Sequence, residues 1–383
     1  MDQIGDLEKC ARERNKALTN EQAQSNLRRG KSAKVLGLLC ALIVFAPNLA
    51  TGGAFFEEIR NVCSDEGPAF VVLLTEAETS TALACGRERQ GGPAAKIQSR
   101  FLIASVSKIF LAVALMQLDE DGKLDIDDPV SRWMPQEIVT EFGELDGITI
   151  VDLLTMSSGL PDYLDDEFYR VSLEKIAQGA TSDDVLRLAL NSVAADPRLF
   201  TPGTAFDYSN TNYLIAQLVL EKAAGAPMHK VLAEHIFKPL GLTQTQVLGF
   251  GIRPDDFVQG FEDFGNGLEP VDQYLTGFGF GDGGLVSNAQ DITAFYRALF
   301  VNERLLRKDS LNRLLADPTG HEYGVGVEVE RQSDLGVVLG HSGGDVGFSA
   351  DVRHIADEDV TVVFLSAEAD DVLSVTWELL ADR

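Results

Sequence analysis

A serine and a lysine three residues apart, Ser105 and Lys108, could together perform nucleophilic catalysis. They lie near the start of an almost wholly apolar run, Ile103 to Leu118, which predicts a buried helix. At a helix start the backbone N–H groups are unpaired and the dipole is positive, which suits an oxyanion. Lys108 would lie one turn from Ser105, and apolar surroundings lower the pKa of an ammonium group. The spacing therefore predicts a serine nucleophile activated by a lysine.

Both residues also have structural interpretations. Serine is a favoured helix N-cap, so Ser105 could be a cap, and Lys108 could be a surface lysine whose stem packs on the protein. The same spacing recurs at Ser172-Leu-Glu-Lys175, inside a short polar segment. Because only Ser105 opens a long apolar helix, we expect the chemistry there.

A further serine, Ser342, lies in Gly340-His-Ser-Gly-Gly344, which matches the G-x-S-x-G nucleophile elbow of α/β-hydrolases. That elbow needs a strand, a sharp turn and a helix, followed by an acid and a histidine. Only 41 residues follow Ser342, their pattern is that of hairpin strands, and the one later histidine is His354. The pattern therefore disfavours Ser342 as the nucleophile.

The turn-rich segment from Phe200 to Asn210 precedes a helix predicted to begin near Tyr213 and contains the only Y-x-N of the chain. A tyrosinate at Tyr208, if it lies near Lys108, could serve as a general base, and Asn210 could hold a substrate amide. The alternatives are a packed tyrosine and an N-cap asparagine.

His341-Ser-Gly-Gly344 ends a predicted strand near the end of the chain. Its glycines would let a flat strand edge approach the nucleophile, so that the N–H of Gly344 could donate to an oxyanion beside that of Ser105. His341 could orient a carboxylate or shuttle a proton, or it could be an ordinary strand histidine with satisfied hydrogen bonds.

The elements that must position these residues are strands at both ends of the chain with helices between them. Ala69–Thr75 and Thr81–Gly86 predict a hairpin, and alternating apolar residues predict four late strands joined by short connections. The late strands are predicted at Gly324–Glu330, Gly336–His341, Phe348–Ile355 and Val360–Leu365. Two further helices are predicted at Leu285–Phe300 and Val372–Leu380. We expect an α/β fold of the α+β type: one antiparallel sheet built from both ends, flanked by helices, with a mostly helical lobe inserted at roughly 119–267.

The first 50 residues resemble a targeting segment. Four basic residues between Arg28 and Lys34 precede an apolar run, Val35 to Ala46, whose 12 residues are too few to span a bilayer but fit a signal peptide. Pro47 breaks the run, and cleavage could follow Ala50. We expect residues 1–50 to be a signal peptide or a retained anchor and 51–383 to form the exported domain, periplasmic or extracellular, and membrane-tethered if the segment is retained. A buried core helix is the alternative.

Export would change the environment of the cysteines. Cys10 and Cys40 would leave with the signal, whereas Cys63 and Cys85 would remain as an even pair in an oxidising compartment. Cys63 ends a predicted helix and Cys85 ends a predicted strand, so a disulfide between them is a candidate, with two free buried thiols as the alternative.

The formal net charge of −27 excludes some partners. A surface this acidic repels phosphate backbones, and we therefore expect no nucleic-acid partner. The partner that we expect is a small-molecule or peptide substrate. The five histidines (229, 235, 321, 341 and 354) show no metal-ligand spacing, and the serine chemistry needs neither a metal nor a cofactor. The pattern implies no stable transmembrane partner and leaves the oligomeric state open.

The order of S-x-x-K, Y-x-N and a late His-Ser-Gly resembles the penicillin-recognising serine hydrolases. The likeness is closest to the branch that contains class C β-lactamases, D-alanyl-D-alanine carboxypeptidases and related esterases, and it covers about residue 60 to the end. Further similar stretches are 103–110, 122–135, 153–163 and 283–291. Two positions depart from the branch: His341 replaces the lysine of class C β-lactamases, as in some carboxypeptidases and esterases, and Met156 stands where histidine is common.

The resemblance implies a serine β-lactamase/DD-peptidase-like fold with the active site between a sandwich and a helical lobe. It also implies a set of roles: Ser105 as the acylated nucleophile, Lys108 and Tyr208 as the proton-transfer pair, Asn210 and His341 as substrate contacts, the amides of Ser105 and Gly344 as the oxyanion hole, and Tyr163 on the cleft wall.

Two hypotheses follow. The first is an exported serine hydrolase that forms an acyl-enzyme on Ser105 and acts on D-alanyl peptides, β-lactams or small esters and amides. The second is a non-catalytic penicillin-binding-like sensor or binding module on the same fold. An intact set of Ser105, Lys108 and Tyr208 favours the first, because a pure binder has no need of all three.

Overall fold

The computed structural model describes residues 53–142, 145, 147–250, 254–263, 267–271, 279–369 and 373–381. The predicted targeting segment and the domain boundary at residue 50 lie outside these residues and stay predictions. None of the helices in the described ranges combines the length and hydrophobicity needed to span a bilayer.

Short strands alternate with helices along the described chain. The strands are β1 Phe70–Glu76, β2 Thr79–Cys85, β3 Phe101–Leu102, β4 Gln246–Val247, β5 Phe261–Asp263, β6 Leu268–Pro270, β7 Leu285–Ser287, β8 Glu328–Gln332, β9 Gly336–Asp345, β10 Phe348–Ile355 and β11 Val360–Ser366. The α-helices are α1 Gly53–Val62, α2 Lys108–Glu120, α3 Gln136–Phe142, α4 Ile150–Leu154, α5 Asp166–Ala177, α6 Ser182–Val193, α7 Thr211–Ala224, α8 Met228–Leu232, α9 Lys238–Leu240, α10 Ala289–Tyr296, α11 Lys308–Leu314 and α12 Leu373–Ala381.

The largest sheet joins the two ends of the described chain. Its strand order is β2-β1-β11-β10-β9-β8, and every neighbouring pair is antiparallel. Phe70 at the start of β1 pairs with Ser366 at the end of β11. The predicted fold class, an antiparallel sheet built from both ends and flanked by helices, is confirmed.

Each face of this sheet is covered by helices. On one face, Val72 and Val362 pack against Phe56 of α1 and Leu379 of α12. On the other face, α10 packs on β1 and β11. Burying an apolar side chain of this size contributes about 1.5–3 kcal/mol, so both layers hold the sheet.

A second, three-stranded sheet has the order β3-β7-β4 and corrects one prediction. Leu285–Ser287, expected as the first turn of a helix reaching Phe300, forms the central strand β7. The helix α10 begins only after Asn288, whose side chain accepts a hydrogen bond from the Asp291 N–H. This N-cap separates strand from helix although the apolar run continues across both.

Cys63 and Cys85 form a disulfide in the structure, with a Cα–Cα distance of 5.9 Å. The bond ties the end of α1 to the end of β2. The residues between 119 and 267 carry helices α3 to α9 together with the short strands β4 and β5. The limits of the helical lobe as an inserted unit stay a prediction.

Candidate active site

Ser105 lies on a 3₁₀ turn, Ala104–Ser107, which leads directly into α2. The α-helix therefore begins at Lys108, three residues later than Ser105. Ser105 does not cap it: the N-cap residue is Ser107, and it makes no side-chain capping bond. Ala104, just before the serine, has a φ of 45°, a strained conformation for a residue with a Cβ and one that clusters at functional sites.

Lys108 is fully buried beneath Ser105. Its Nζ is 2.9 Å from Ser105 Oγ, 2.8 Å from Asn210 Oδ1 and 2.6 Å from the main-chain oxygen of Asp282. Burial lowers the pKa of Lys108 from 10.5 to about 8, although neighbouring carboxylates oppose the change. The two carbonyl oxygens can only accept, so they take two N–H groups, and a neutral amine would direct its lone pair at the Ser105 hydroxyl.

Tyr208 is half-buried and its hydroxyl is hydrogen-bonded to Ser105. The Lys108 Nζ lies 5.1 Å from the centre of the Tyr208 ring. Burial raises the pKa of Tyr208 well above 10, and the bond to Ser105 only partly offsets this. Burial therefore favours the phenol over the tyrosinate, because a buried anion loses its solvation, and the role of Tyr208 as a general base stays a prediction.

Asn210 precedes α7 but does not cap it with its side chain. Its Oδ1 accepts from Lys108, and its Nδ2 donates to Asp162 Oδ2 at 3.0 Å. The Asn210 backbone N–H donates to the other Asp162 oxygen, also at 3.0 Å. Burial raises the pKa of Asp162 to about 6 against these hydrogen bonds. Asp162 therefore holds Asn210 in place, and Asn210 in turn holds Lys108. The substrate contact expected of Asn210 stays a prediction.

Strand β9 passes directly beside Ser105. A Cβ added to Gly343 would lie 2.6 Å from the Ile103 oxygen and 3.1 Å from the Ser105 nitrogen, so only glycine permits this approach. Gly344 is exposed and lines the same cleft as Ser105. The structure thus brings together the two residues expected to form an oxyanion hole.

His341 is buried on β9 and has partners at both ring nitrogens. Nδ1 lies 2.5 Å from the Ser342 carbonyl oxygen, and Nε2 lies 2.9 Å from the Tyr323 hydroxyl. The carbonyl can only accept, so Nδ1 carries the proton and Nε2 accepts from Tyr323. Burial lowers the pKa of His341 to about 4, although Glu328 opposes the change, so the ring is neutral near pH 7. The expected contact between His341 and substrate stays a prediction.

The two rival serines have other partners. Ser342 lies inside β9 rather than at a strand–helix turn, and both its N–H and its hydroxyl donate to Glu328. Burial would raise the pKa of Glu328, but Arg353 and His341 hold it at about 2, so this partner is an anion. Ser172 lies in α5 and donates to the Tyr169 carbonyl at 2.8 Å.

Lys175, the lysine of that second S-x-x-K, is exposed on α5. Lys108, by contrast, is fully buried. Met156, in the position where histidine is common in the resembled branch, is buried with a φ of 58°. Its carbonyl accepts from the Asp207 N–H, which ties it to the residue before Tyr208.

Tyr163 lines the cleft, as predicted, and its hydroxyl donates to Asp282 Oδ2 at 2.7 Å. Burial raises the pKa of Asp282. Asp162, Asp282 and Tyr323 are site residues that the sequence analysis missed. Asp162 lies within one of the stretches similar to the resembled family, and Asp282 directly precedes another. That similarity was the only sign in the sequence that these two residues belong to the site. Tyr323 lies in no motif and reaches His341 only through the fold.

The cleft encloses about 500 Å³, including its open mouth. It is lined by Ala104, Ser105, Tyr163, Leu164, Phe168, Tyr169, Asn210, Phe280, Asp282, Gly283, Gly284, Gly344 and Asp345. In this cleft a serine lies against a buried lysine, a phenol and the glycine edge of an antiparallel sheet. This arrangement is that of the penicillin-recognising serine hydrolases.

Comparison with known proteins gives the family. The model of the Beta-lactamase family matches residues 66–381. The chain therefore belongs to the Beta-lactamase family. It is 30% identical over 293 residues to Penicillin-binding protein 4* of Bacillus subtilis, covering 72% of this chain and 62% of that protein. It is 29% identical over 277 residues to a D-aminopeptidase of Cereibacter sphaeroides, covering 70% of this chain and 50% of that protein.

Among solved structures, a D-stereospecific amidohydrolase from Streptomyces sp. superposes with a TM-score of 0.70 at 27% identity, covering 84% of this chain and 97% of that one. The chain thus spans only about half to three-fifths of the two curated relatives, but nearly the whole of this solved one.

Proposed function

We propose that the protein is a serine hydrolase that forms an acyl-enzyme on Ser105. The observation that carries the proposal is the arrangement around Lys108 Nζ, where two carbonyl oxygens fix the amine and the third direction faces Ser105 Oγ. With a pKa of about 8, a useful fraction of this amine is neutral near pH 7 to 8. A base whose pKa lies near the working pH is the most effective one.

In the first step neutral Lys108 takes the Ser105 proton while Oγ attacks the substrate carbonyl. The carbonyl π bond opens, and its electron pair forms an oxyanion that faces the amides of Ser105 and Gly344. When the bond to the leaving group breaks, Tyr208 supplies a proton to the departing nitrogen or oxygen and is reprotonated from Lys108. Water then attacks the ester by the same steps in reverse, which regenerates Ser105.

We propose small amides and esters of amino acids, of the D-series, as substrates. Two relatives support this choice by name, a D-aminopeptidase and a D-stereospecific amidohydrolase. The charge of the site supports it too. Carboxylate-ended substrates such as D-alanyl-D-alanine peptides or penicillins favour a cation, and His341 is neutral and engaged at both nitrogens.

The nucleophile is tested with a fluorophosphonate probe and intact-mass measurement. We expect one adduct on the wild type, none on Ser105→Ala, and an unchanged adduct on Ser172→Ala, the matched serine of the second S-x-x-K. A wild type that forms no adduct and hydrolyses no ester would favour the binding module. An adduct that persists in Ser105→Ala but disappears in Ser342→Ala would move the nucleophile to β9.

We further propose that the protein is exported. The bond between Cys63 and Cys85 supports this, because disulfides persist in oxidising compartments and are rare in the cytosol. The basic residues and the apolar run within the first 50 residues would serve as the export signal. Full-length protein expressed in a bacterium should be recovered from the periplasm or medium, with an N-terminus after Ala50 if the segment is cleaved. Recovery from the cytosol with residues 1–50 intact would contradict the proposal.

A further inference from the structure

Strand β9 extends beyond its neighbour β8 on the side of the cleft. The pairing of the two strands ends at Glu328 and Gly340, whereas β9 continues to Asp345. Beyond that point the Ser342 N–H donates to the Glu328 side chain. Because N–H directions alternate along a strand, the Gly344 N–H faces the same edge as that of Ser342. Whatever fixes this edge therefore also directs the amide proposed for the oxyanion hole.

The Glu328 carboxylate takes the place of a strand neighbour beside Ser342. Its Oε1 accepts from the Ser342 N–H at 3.1 Å and from the Ser342 hydroxyl at 3.0 Å. His341 Nδ1 lies 3.7 Å from the same oxygen and donates to the Ser342 carbonyl. Side chains thus hold both main-chain polar groups of Ser342, two residues before Gly344.

Arg353 holds the same carboxylate from the other side of β9. Glu328 on β8 and Arg353 on β10 both pair with Gly340. A Cβ added to Gly340 would lie 2.0 Å from the Val352 oxygen and 3.1 Å from Arg353 Nη1, so only glycine lets the guanidinium pass this close. Nη1 donates to Glu328 Oε2 at 2.5 Å, and the Arg353 side chain is buried. Gly340 and Ser342, the residues of the apparent nucleophile elbow, therefore serve this ion pair.

We propose that Glu328 is a positioning residue of the hydrolase reaction, which fixes the edge of β9 so that the Gly344 N–H points at the oxyanion. This inference rests on the proposed hydrolase function and adds to it a residue outside the S-x-x-K, Y-x-N and His-Ser-Gly motifs. A hydrogen-bond donor stabilises a transition state most when its direction is fixed beforehand. A displacement of about 1 Å can slow a reaction about 10²-fold. Loss of the carboxylate should therefore slow acylation more than it weakens substrate binding.

The variant that tests this role is Glu328→Gln, which keeps the size of the side chain. A glutamine has one accepting oxygen and one NH2 group, whereas Arg353 and the Ser342 N–H can only donate. One of these two donors must then face the NH2 group, so the variant cannot hold β9 and Arg353 together.

Glu330→Gln is the matched control. Glu330 also lies on β8 and also accepts from Arg353 Nη1, at 3.1 Å. Its side chain is 24% exposed, against 21% for Glu328, so the two substitutions remove the same charge from similar surroundings. Its other carboxylate oxygen accepts from Gln332 rather than from β9. Only Glu328→Gln therefore releases Ser342.

The burst of p-nitrophenol is measured as a function of p-nitrophenyl acetate concentration, which gives the acylation rate constant and the substrate dissociation constant separately. Fluorophosphonate labelling to completion, read by intact mass, gives the active fraction by which each burst is corrected. For Glu328→Gln we expect an acylation rate constant about 10- to 100-fold lower and a dissociation constant changed less than about threefold. For Glu330→Gln both constants should stay within about threefold of the wild type.

Glu328→Asp keeps the test decisive if Glu328→Gln does not fold. It retains the negative charge beside Arg353, but its carboxylate ends one methylene short of Ser342. We expect its acylation rate constant to fall at least about threefold with an unchanged dissociation constant, and a wild-type rate constant would overturn the proposal.

Two failures are distinguishable. An equal loss in Glu328→Gln and Glu330→Gln would assign Glu328 to the ion pair alone and refute the positioning role. So would a Glu328→Gln rate constant within about threefold of the wild type. In both cases the wild type still forms its adduct, and the hydrolase function stands. A wild type that gives neither an adduct nor a burst would refute the hydrolase function, and this inference with it.

Discussion

The protonation of Lys108 should set the pH dependence of acylation. Burial lowers its pKa from 10.5 to about 8, so the neutral amine becomes available at a lower pH than in a free lysine. If the neutral form is the base, the acylation rate rises with pH and levels off above 8. At pH 7 about one molecule in ten carries the neutral amine, so the rate should be about tenfold below the plateau. Asp162, with a pKa of about 6, is mostly ionised from pH 7 upward.

The assay is stopped-flow measurement of the p-nitrophenol burst from p-nitrophenyl acetate between pH 6.5 and 9.5, corrected for spontaneous hydrolysis. Lys108→Arg keeps the positive charge but cannot lose its proton in this range, so it should lack the rise and acylate at least about 10³-fold more slowly. Asp357→Asn, which removes a charge from an exposed turn after β10, is the control and should retain the wild-type profile. A rate independent of pH between 7 and 9, or a normal profile in Lys108→Arg, would refute Lys108 as the base.

Three further outcomes are expected. Tyr208→Phe should lower kcat/KM about 10²–10⁴-fold on an amide but far less on a p-nitrophenyl ester, because p-nitrophenolate leaves without a proton; equal losses would contradict a donor role. Gly343→Ala should lower both the acylation rate and the melting temperature, whereas Gly283→Ala, where an added Cβ meets nothing closer than 3.6 Å, should leave the melting temperature unchanged. Reduction of the Cys63–Cys85 bond, which spans 22 residues, should lower the free energy of unfolding by about 3 kcal/mol, measured by urea titration with and without dithiothreitol.

Much of the fold follows from local pattern. The predicted strand Phe348–Ile355 coincides with β10, because alternation and short turns specify a hairpin strand directly. The helix expected from Leu285 begins four residues later, because an apolar strand and an apolar helix in sequence give one unbroken run. Asn288, a favoured N-cap residue, was the one sign in the sequence of where the strand ends and the helix begins.

The site could be predicted as far as its motifs extend. The sequence separates Ser105 from Ser172 by the length of the apolar run, and the structure agrees in placing a buried lysine beside Ser105 alone of the two. The protonation state of Tyr208 could not be predicted, because it depends on enclosure by residues distant in the chain. For the same reason Asp162 and Asp282, which fix Asn210 and Tyr163, carried no pattern of their own.

The pairing of β1 with β11 also constrains how the molecule is made. Phe70 can pair with Ser366 only after β11 has been synthesised, and β11 follows β1 by most of the described chain. Contacts so distant in the chain form slowly, and until then β1 and β10 each present an unsatisfied edge. A nonsense mutation directly after β10, which removes β11 and everything after it, would therefore yield a chain prone to intermolecular strand addition. Its cellular fate would be decided by chaperones and proteases.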